Sequence, residues 1–227
     1  MKGFSIFLIL VIIVVLGFFV LRKPADAPVV TDTDGTGDEM PNTQNDIDED
    51  FDGTKQIDAD KSTATWTGSK KLIVDYYDYG TVDVKSGNAV FADGILTGGE
   101  VVFDMTTINA TSTGKKADED KLTGHLKSDA FFDVAKYPEA KFVITSAARE
   151  SGNTYLLTGN LTVKGKTAPV SFPADVLMVN GVATIAGTAT IDRTVYDVRF
   201  GSTKFFQDLG DNVINDEFTL EFKAVTK

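Results

Sequence analysis

The 227-residue chain carries 33 acidic against 22 basic side chains, a formal charge of −11, and 42% of its residues are hydrophobic. That is enough for one sizeable core plus appendages. The acidity sets aside nucleic acid as a partner, because phosphate recognition needs a gathered basic patch, and the lack of cysteine excludes disulfides, thiolate nucleophiles and Cys-ligated metals.

Phe4 to Leu21 is an uncharged run, nearly all Ile, Leu, Val or Phe. As a helix rising about 1.5 Å per residue it spans roughly 27 Å, close to the hydrocarbon thickness of a bilayer, so residues 1–23 read as a transmembrane anchor. A cleaved signal peptide is the competing reading, since Ala25-Asp26-Ala27 has a small-x-small form. Its apolar core would ordinarily be about 7 to 15 residues, and Pro28 would follow the cut directly. Lys2 on one side and Arg22-Lys23 on the other leave the positive-inside rule nearly balanced. A β-rich domain behind such a segment is expected on the extracytoplasmic side, in the periplasm or at the cell exterior.

Residues 24–56 hold ten Asp or Glu against Lys55 alone. With few large apolar side chains they cannot offset the entropy of ordering, and are expected to form a disordered, self-repelling acidic linker. Within it, Asp48-Glu49-Asp50-Phe51-Asp52-Gly53 has carboxylates at the first, third and fifth positions and glycine at the sixth, as a calcium loop does. Ala59 stands where the bidentate twelfth-position Glu belongs, so an acidic spacer is the simpler reading.

Residues 57–227 are expected to be the folded domain. From Lys61 onward hydrophobic and polar residues alternate with period two between Gly, Asn and Asp turns, the pattern of antiparallel strands with one buried face. Ala64, Trp66 and Gly68 share a face; so do Val101, Phe103 and Met105, and then Phe142 and Ile144. Tyr155, Leu157, Gly159, Leu161 and Val163 form the longest row, followed beyond Gly165 by Val170, Phe172, Ala174, Val176 and Met178. Ile185, Gly187, Ala189 and Ile191 come next, and Phe218, Leu220, Phe222 and Ala224 last. Turn signals at Ser86-Gly87-Asn88, Ala92-Asp93-Gly94, Ser151-Gly152-Asn153 and Asn180-Gly181 predict hairpins. Between Lys116 and Asp133, Leu122, His125 and Leu126 take helical spacing, so one or two short helices are expected at a barrel mouth.

The fold class is therefore all-β: an eight-stranded antiparallel, lipocalin-like barrel, closed because closure removes exposed edges. A barrel of that size can hold one small ligand. Glycine and alanine among large inward residues leave room for one, although the same rows also suit a filled interior, and periodicity does not choose between the two.

Several motifs in order carry a resemblance. Gly124-His125-Leu126-Lys127-Ser128-Asp129-Ala130-Phe131-Phe132-Asp133-Val134 leads to Tyr137-Pro138-Glu139-Ala140-Lys141-Phe142. After it come Gly159-Asn160-Leu161-Thr162-Val163-Lys164-Gly165, Ile191-Asp192-Arg193-Thr194-Val195-Tyr196-Asp197-Val198-Arg199-Phe200-Gly201 and Asp211-Asn212-Val213-Ile214-Asn215-Asp216-Glu217-Phe218. Together they resemble the YceI-like family over about residues 60 to 227. The resemblance implies an exported lipocalin-like barrel whose interior binds polyisoprenoid chains, such as isoprenoid quinone precursors. Two positions depart from the family pattern: Asp78-Tyr79-Gly80 stands where His-x-Gly is frequent, and Asp197 where glycine commonly follows the arginine motif.

Rows and resemblance together nominate as ligand contacts Trp66, Phe103, Met105, Phe131, Phe142, Ile144, Leu157, Leu161, Val163, Phe172, Val176, Ile185, Tyr196, Phe200, Phe218 and Phe222. The expected function is binding and sequestration or transport of a long-chain apolar lipid, of polyisoprenoid or isoprenoid quinone type, in the barrel interior at the outer face of the cytoplasmic membrane. A structural or adhesive envelope domain with a filled barrel is the alternative. No catalytic residue, metal or cofactor is expected, and association into a homodimer stays open. His125, the only histidine, is expected at the mouth with a backbone hydrogen bond. Asp192 and Arg193 are candidates to pair across a turn, with Arg193 facing a ligand's polar end as the alternative, and the doublets Phe131-Phe132 and Phe205-Phe206 suit mouth or lid segments.

Overall fold

A computed structural model describes residues 51–227. The expected membrane anchor and residues 24–50 of the expected linker lie outside the described residues.

The described chain forms one antiparallel sheet of ten strands: β1 (Gly53–Gln56), β2 (Thr63–Ser69), β3 (Tyr77–Thr81), β4 (Asp83–Ala92), β5 (Ile95–Asp104), β6 (Glu139–Ser151), β7 (Thr154–Val163), β8 (Lys166–Val179), β9 (Val182–Asp192) and β10 (Glu217–Val225). One helix, α1 (Lys116–Lys127), lies between β5 and β6. The order across the sheet is β1-β4-β5-β6-β7-β8-β9-β10-β2-β3. From β4 to β10 the strands pair in sequence order, and the tight turns follow from residues that tolerate a left-handed backbone. Asp93 and Gly94 take φ of 52° and 66°, Lys164 and Gly165 50° and 70°, Asn180 and Gly181 50° and 76°. Two consecutive positive φ values give the turn whose twist matches that of a β-hairpin.

Both flanks of this meander are sewn to the same stretch of chain. β1 pairs with β4; after a 3-10 turn at Ala59–Lys61 the chain continues as β2 and pairs with β10. At the crossing the Ile57 amide donates to the Gly87 oxygen at 2.9 Å, and the Asp58 amide to the Val225 oxygen at 2.7 Å. β3 and β4 are likewise one run interrupted at Val82, whose amide donates to the Ala64 oxygen of β2 at 3.1 Å. The sheet thus curls into a barrel with one row of side chains from each strand inside.

Three expectations are corrected. The strand count is ten rather than eight, because the runs 53–69 and 77–92 are each broken in two where the chain passes from one neighbouring strand to another. Residues 51–56 belong to the barrel rather than to the linker: Phe51 is buried edge-on against Phe91, ring centroids 5.7 Å apart, and Asp52 Oδ1 accepts from the Gly94 amide at 3.0 Å. Ser86-Gly87-Asn88 is no turn but lies inside β4, beside a bulge between Val84 and Ser86. A Cβ at position 87 would come within 2.5 Å of the Glu100 oxygen, so the glycine serves close strand approach.

The end of the barrel at the C-termini of β5, β7 and β9 carries the irregular structure. Asp118 and Glu119 in the first turn of α1 and His125 and Lys127 in the last complement its dipole. Leu126 is its buried anchor, with Leu122 packed against the core one turn earlier. Lys164 Nζ, at the β7–β8 turn, donates to the main-chain oxygens of Asp129 at 2.9 Å and Asp197 at 3.3 Å. It thereby ties the segment after α1 to the 3-10 turn Arg193–Tyr196.

Candidate functional site

Beneath this mouth lies a cavity of about 620 Å³. Strand positions whose alternation points inward supply its wall: Trp66, Phe103, Leu161, Val163, Ile191, Phe218 and Leu220. Met105 joins them from the 3-10 turn closing β5. Leu122, His125 and Leu126 roof it from one face of α1, their spacing of three and four residues being that of a helical stripe. Phe131, Phe132 and Phe200 complete the roof. The Phe131 and Phe200 rings stand 5.2 Å apart, and the His125 ring meets Phe200 edge-on at 6.0 Å. Two aromatic segments distant in sequence therefore meet over the chamber, and Phe200, 41% exposed, forms part of the outer lip.

The wall is apolar and the rim is not. Lys70, Tyr76, Asp78, Asp118, Lys121, Asn212 and Asn215 reach the cavity at its upper edge. Asp78 accepts from the Ser112 hydroxyl at 2.9 Å, and Lys70 sits over the Tyr76 ring at 5.0 Å. Burial, with the Asp78 charge beside it, raises the Tyr76 phenol above its ordinary range. Asp78, one of the two departures, thus faces the site. Asp197 does not line it: it takes the left-handed φ of 62°, a conformation at which glycine is at ease, and pairs with Arg199 Nε at 2.5 Å.

Arg193 is buried at the chamber wall, and its role is largely to hold backbone. Nε donates to the Asn215 oxygen at 3.0 Å, Nη1 to the Val198 oxygen at 2.8 Å and Nη2 to the Ile214 oxygen at 3.3 Å. Burial lowers its pKa, opposed by the charges of Asp216 and Asp192. The expected Asp192–Arg193 pair is corrected. Asp192 instead accepts from Lys204 Nζ at 2.7 Å and from the Thr194 hydroxyl and amide at 2.6 and 2.9 Å, because the 3-10 turn starting at Arg193 draws its carboxylate round as a cap.

The structure divides the nominated contact residues into three groups. Trp66, Phe103, Met105, Phe131, Leu161, Val163, Phe200 and Phe218 line the chamber. Phe142, Phe172 and Phe222 lie beyond it, around a residual void of about 50 Å³ that also touches Phe103 and Leu161. Ile144, Leu157, Val176, Ile185 and Tyr196 line neither space; the last four are among the most buried side chains. The rim residues Lys70, Tyr76, Lys121, Asn212 and Asn215 were missed, since irregular segments carry no periodicity to expose them. Phe205 and Phe206 are largely exposed and outside the chamber, with the Arg199 guanidinium 5.0 Å from the Phe205 ring. The His125 ring meets Phe200 edge-on rather than making the expected backbone bond; its main-chain oxygen accepts from the Ser128 amide at 3.1 Å.

A groove of about 650 Å³ on the outer wall runs past Thr67, Thr190 and Thr219. Three of its charges are engaged with one another, Lys204 standing 2.7 Å from Asp192 and 3.5 Å from Asp216. The interior chamber is the better-formed site for a ligand from outside.

Comparison with known proteins agrees with this fold. The family model for the YceI-like domain matches residues 56–226. A UPF0312 protein of Pseudomonas putida (strain GB-1) is 36% identical over 96 residues, 42% of this chain and 47% of that protein. Protein YceI of Salmonella arizonae is 43% identical over 72 residues, 31% of this chain and 36% of its own length. The matched stretch spans about half the length, or less, of these relatives. Among solved structures, a polyisoprenoid binding domain from Saccharophagus degradans implicated in plant cell wall breakdown superposes with a TM-score of 0.57 at 18% identity, covering 76% of this chain and 97% of that one. Burkholderia cenocepacia BcnA gives a TM-score of 0.56 at 24% identity, covering 75% of this chain and 99% of its own. At these identities the likeness establishes the fold.

Proposed function

The chain belongs to the YceI-like family, and from that premise we propose that it binds an apolar lipid of the polyisoprenoid type in the chamber under α1, sequestering or carrying it at the outer face of the cytoplasmic membrane. The observation that carries the reading is the chamber itself: about 620 Å³ walled by Trp66, Phe103, Met105, Leu161 and Phe218, well above the roughly 300 Å³ at which ligand pockets begin. Each Å² of lipid surface transferred to such a wall contributes about 25 cal/mol, so area alone can retain the tail while the polar rim meets a head group. The Phe4–Leu21 run would tether the barrel to the membrane from which such a ligand comes, the intervening acidic residues acting as spacer.

The reading is of a binding protein rather than an enzyme. Arg193 is committed to backbone oxygens and Asp192 to Lys204 and Thr194, so both serve the framework of the mouth. Native mass spectrometry of the full chain, extracted mildly from membranes of its host, is expected to show a co-purifying apolar adduct. Adduct-free protein in repeated preparations would favour the second reading, a structural or adhesive envelope domain. One observation speaks for that alternative: the barrel beyond the chamber is packed down to about 50 Å³.

A further inference from the structure

The interior is divided at mid-height. The chamber of about 620 Å³ and the residual void of about 50 Å³ share Phe103, Leu161, Ile191 and Leu220, which therefore mark the level at which one gives way to the other. Just beyond that level three rings from three strands pile up: Phe142 of β6 lies 5.3 Å from Phe172 of β8, and Phe172 lies 5.4 Å from Phe222 of β10. A Cβ at Gly159 would come within 2.5 Å of Phe142 Cζ, so the glycine on β7 is what lets that ring lie across the barrel. The small residue that in the sequence reads as room for a ligand is filled here by the protein's own phenyl group. Leu157, opposite Phe172 in the ladder, and the paired Val176 and Ile185 are closed off at 1%, 2% and 5% exposure.

We propose that the Phe142–Phe172–Phe222 stack is a chain-length ruler, which stops a prenyl tail at mid-barrel and restricts the site to short polyisoprenoids. The inference rests on the lipid-binding reading above and adds a limit to it. At the roughly 30 Å³ that a small group occupies in a liquid, 620 Å³ holds about twenty methylene-sized groups. That is a tail of about four isoprene units; one of nine units would have to leave half its length in water or displace the rings. Displacement is costly because the space adjoining the three rings amounts to only about 50 Å³, too little to receive a ring pushed aside.

The test is a competition. The full chain in nanodiscs is equilibrated with equal amounts of geranylgeraniol, a four-unit prenol, and solanesol, a nine-unit prenol, and the retained lipid is identified by mass spectrometry. The wild type is expected to retain the shorter prenol at least about tenfold over the longer. Phe172→Leu and Phe222→Leu, chosen because they keep an apolar side chain where alanine risks unfolding the barrel, are expected to raise the nine-to-four-unit ratio about fivefold or more. Equal retention of both prenols by the wild type overturns the ruler while upholding lipid binding. An unchanged ratio in both folded variants also overturns it. Retention of neither prenol by any of the three proteins overturns the ruler together with the lipid-binding reading.

Discussion

Trp66 Nε1 donates to the main-chain oxygen of Asn109 at 2.9 Å, joining the β2 wall of the chamber to the segment that leads into α1. Gly80 on β3 makes that approach possible, for a Cβ there would stand 1.8 Å from the same oxygen and 2.9 Å from Ala110 Cα. Both obstacles are backbone and cannot swing aside. Gly80→Ala is therefore expected to cost about 3 kcal/mol and to loosen α1, whose Thr123 hydroxyl accepts from the Ala110 amide at 3.0 Å. Urea unfolding gives the first quantity and amide exchange within residues 116–127 the second; a variant of wild-type stability would show that the close approach is not needed.

Trp66 is the single tryptophan of the chain, and it is both buried and part of the chamber wall. Any lipid that fills the chamber must change its surroundings from void or water to hydrocarbon. Titration with geranylgeraniol is expected to shift the emission to shorter wavelength and to saturate at one lipid per chain. Emission that stays constant while lipid demonstrably binds would place the lipid elsewhere.

What the sequence discloses about this site is which face a residue takes, and what it conceals is how far along the barrel that residue sits. Leu157 and Leu161 occupy one inward row of β7, yet Leu161 lines the chamber and Leu157 is buried opposite Phe172 of the phenylalanine stack. Period-two alternation is the same at both heights, and only the register between strands separates them. The strand rows, α1 and the turns at Asp93-Gly94 and Asn180-Gly181 are legible because each is a local matter of backbone preference. β1 is hidden by the acidic residues before it, since Phe51 finds its partner Phe91 only across the sheet. Gly87 misleads for a similar reason: the Glu100 oxygen that demands a glycine there belongs to another strand.

Arg193 is 5% exposed and 3.8 Å from Asp216 Oδ1, an oxygen that is buried without a hydrogen-bond donor. Arg193→Met would orphan the oxygens of Val198, Ile214 and Asn215 as well as this carboxylate, and is expected to cost about 3 to 5 kcal/mol. Asp216→Asn removes only the opposing charge and leaves the three backbone bonds, so about 1 to 3 kcal/mol is expected. The ranking is the prediction, read from urea midpoints of the two variants. Equal losses would mean that the charge pair, rather than the backbone bonds, is what Arg193 contributes to the mouth.

Tyr196 closes the turn behind Arg193, and burial, with the Asp192 charge adding to it, pushes its phenol up to about 12. In the unfolded chain it titrates near 10, so the folded state favours the protonated phenol. The resulting stabilisation is complete below about pH 10, falls as pH rises from there, and is gone above about pH 12, once both states are ionised. Two units of difference correspond to about 2 to 3 kcal/mol. Lysines raised by carboxylate partners, Lys204 beside Asp192 among them, weaken over the same interval, so the parent's alkaline limb alone does not isolate the tyrosine. Tyr196→Phe does: its stability should decline less between about pH 9.5 and 11.5 than the parent's, while the acid limb, where the Asp192 carboxyl is held low by Lys204 and Thr194 against the opposing effect of burial, stays the same. Parallel alkaline limbs in the two proteins would mean that the Tyr196 phenol ionises in the fold as freely as in water.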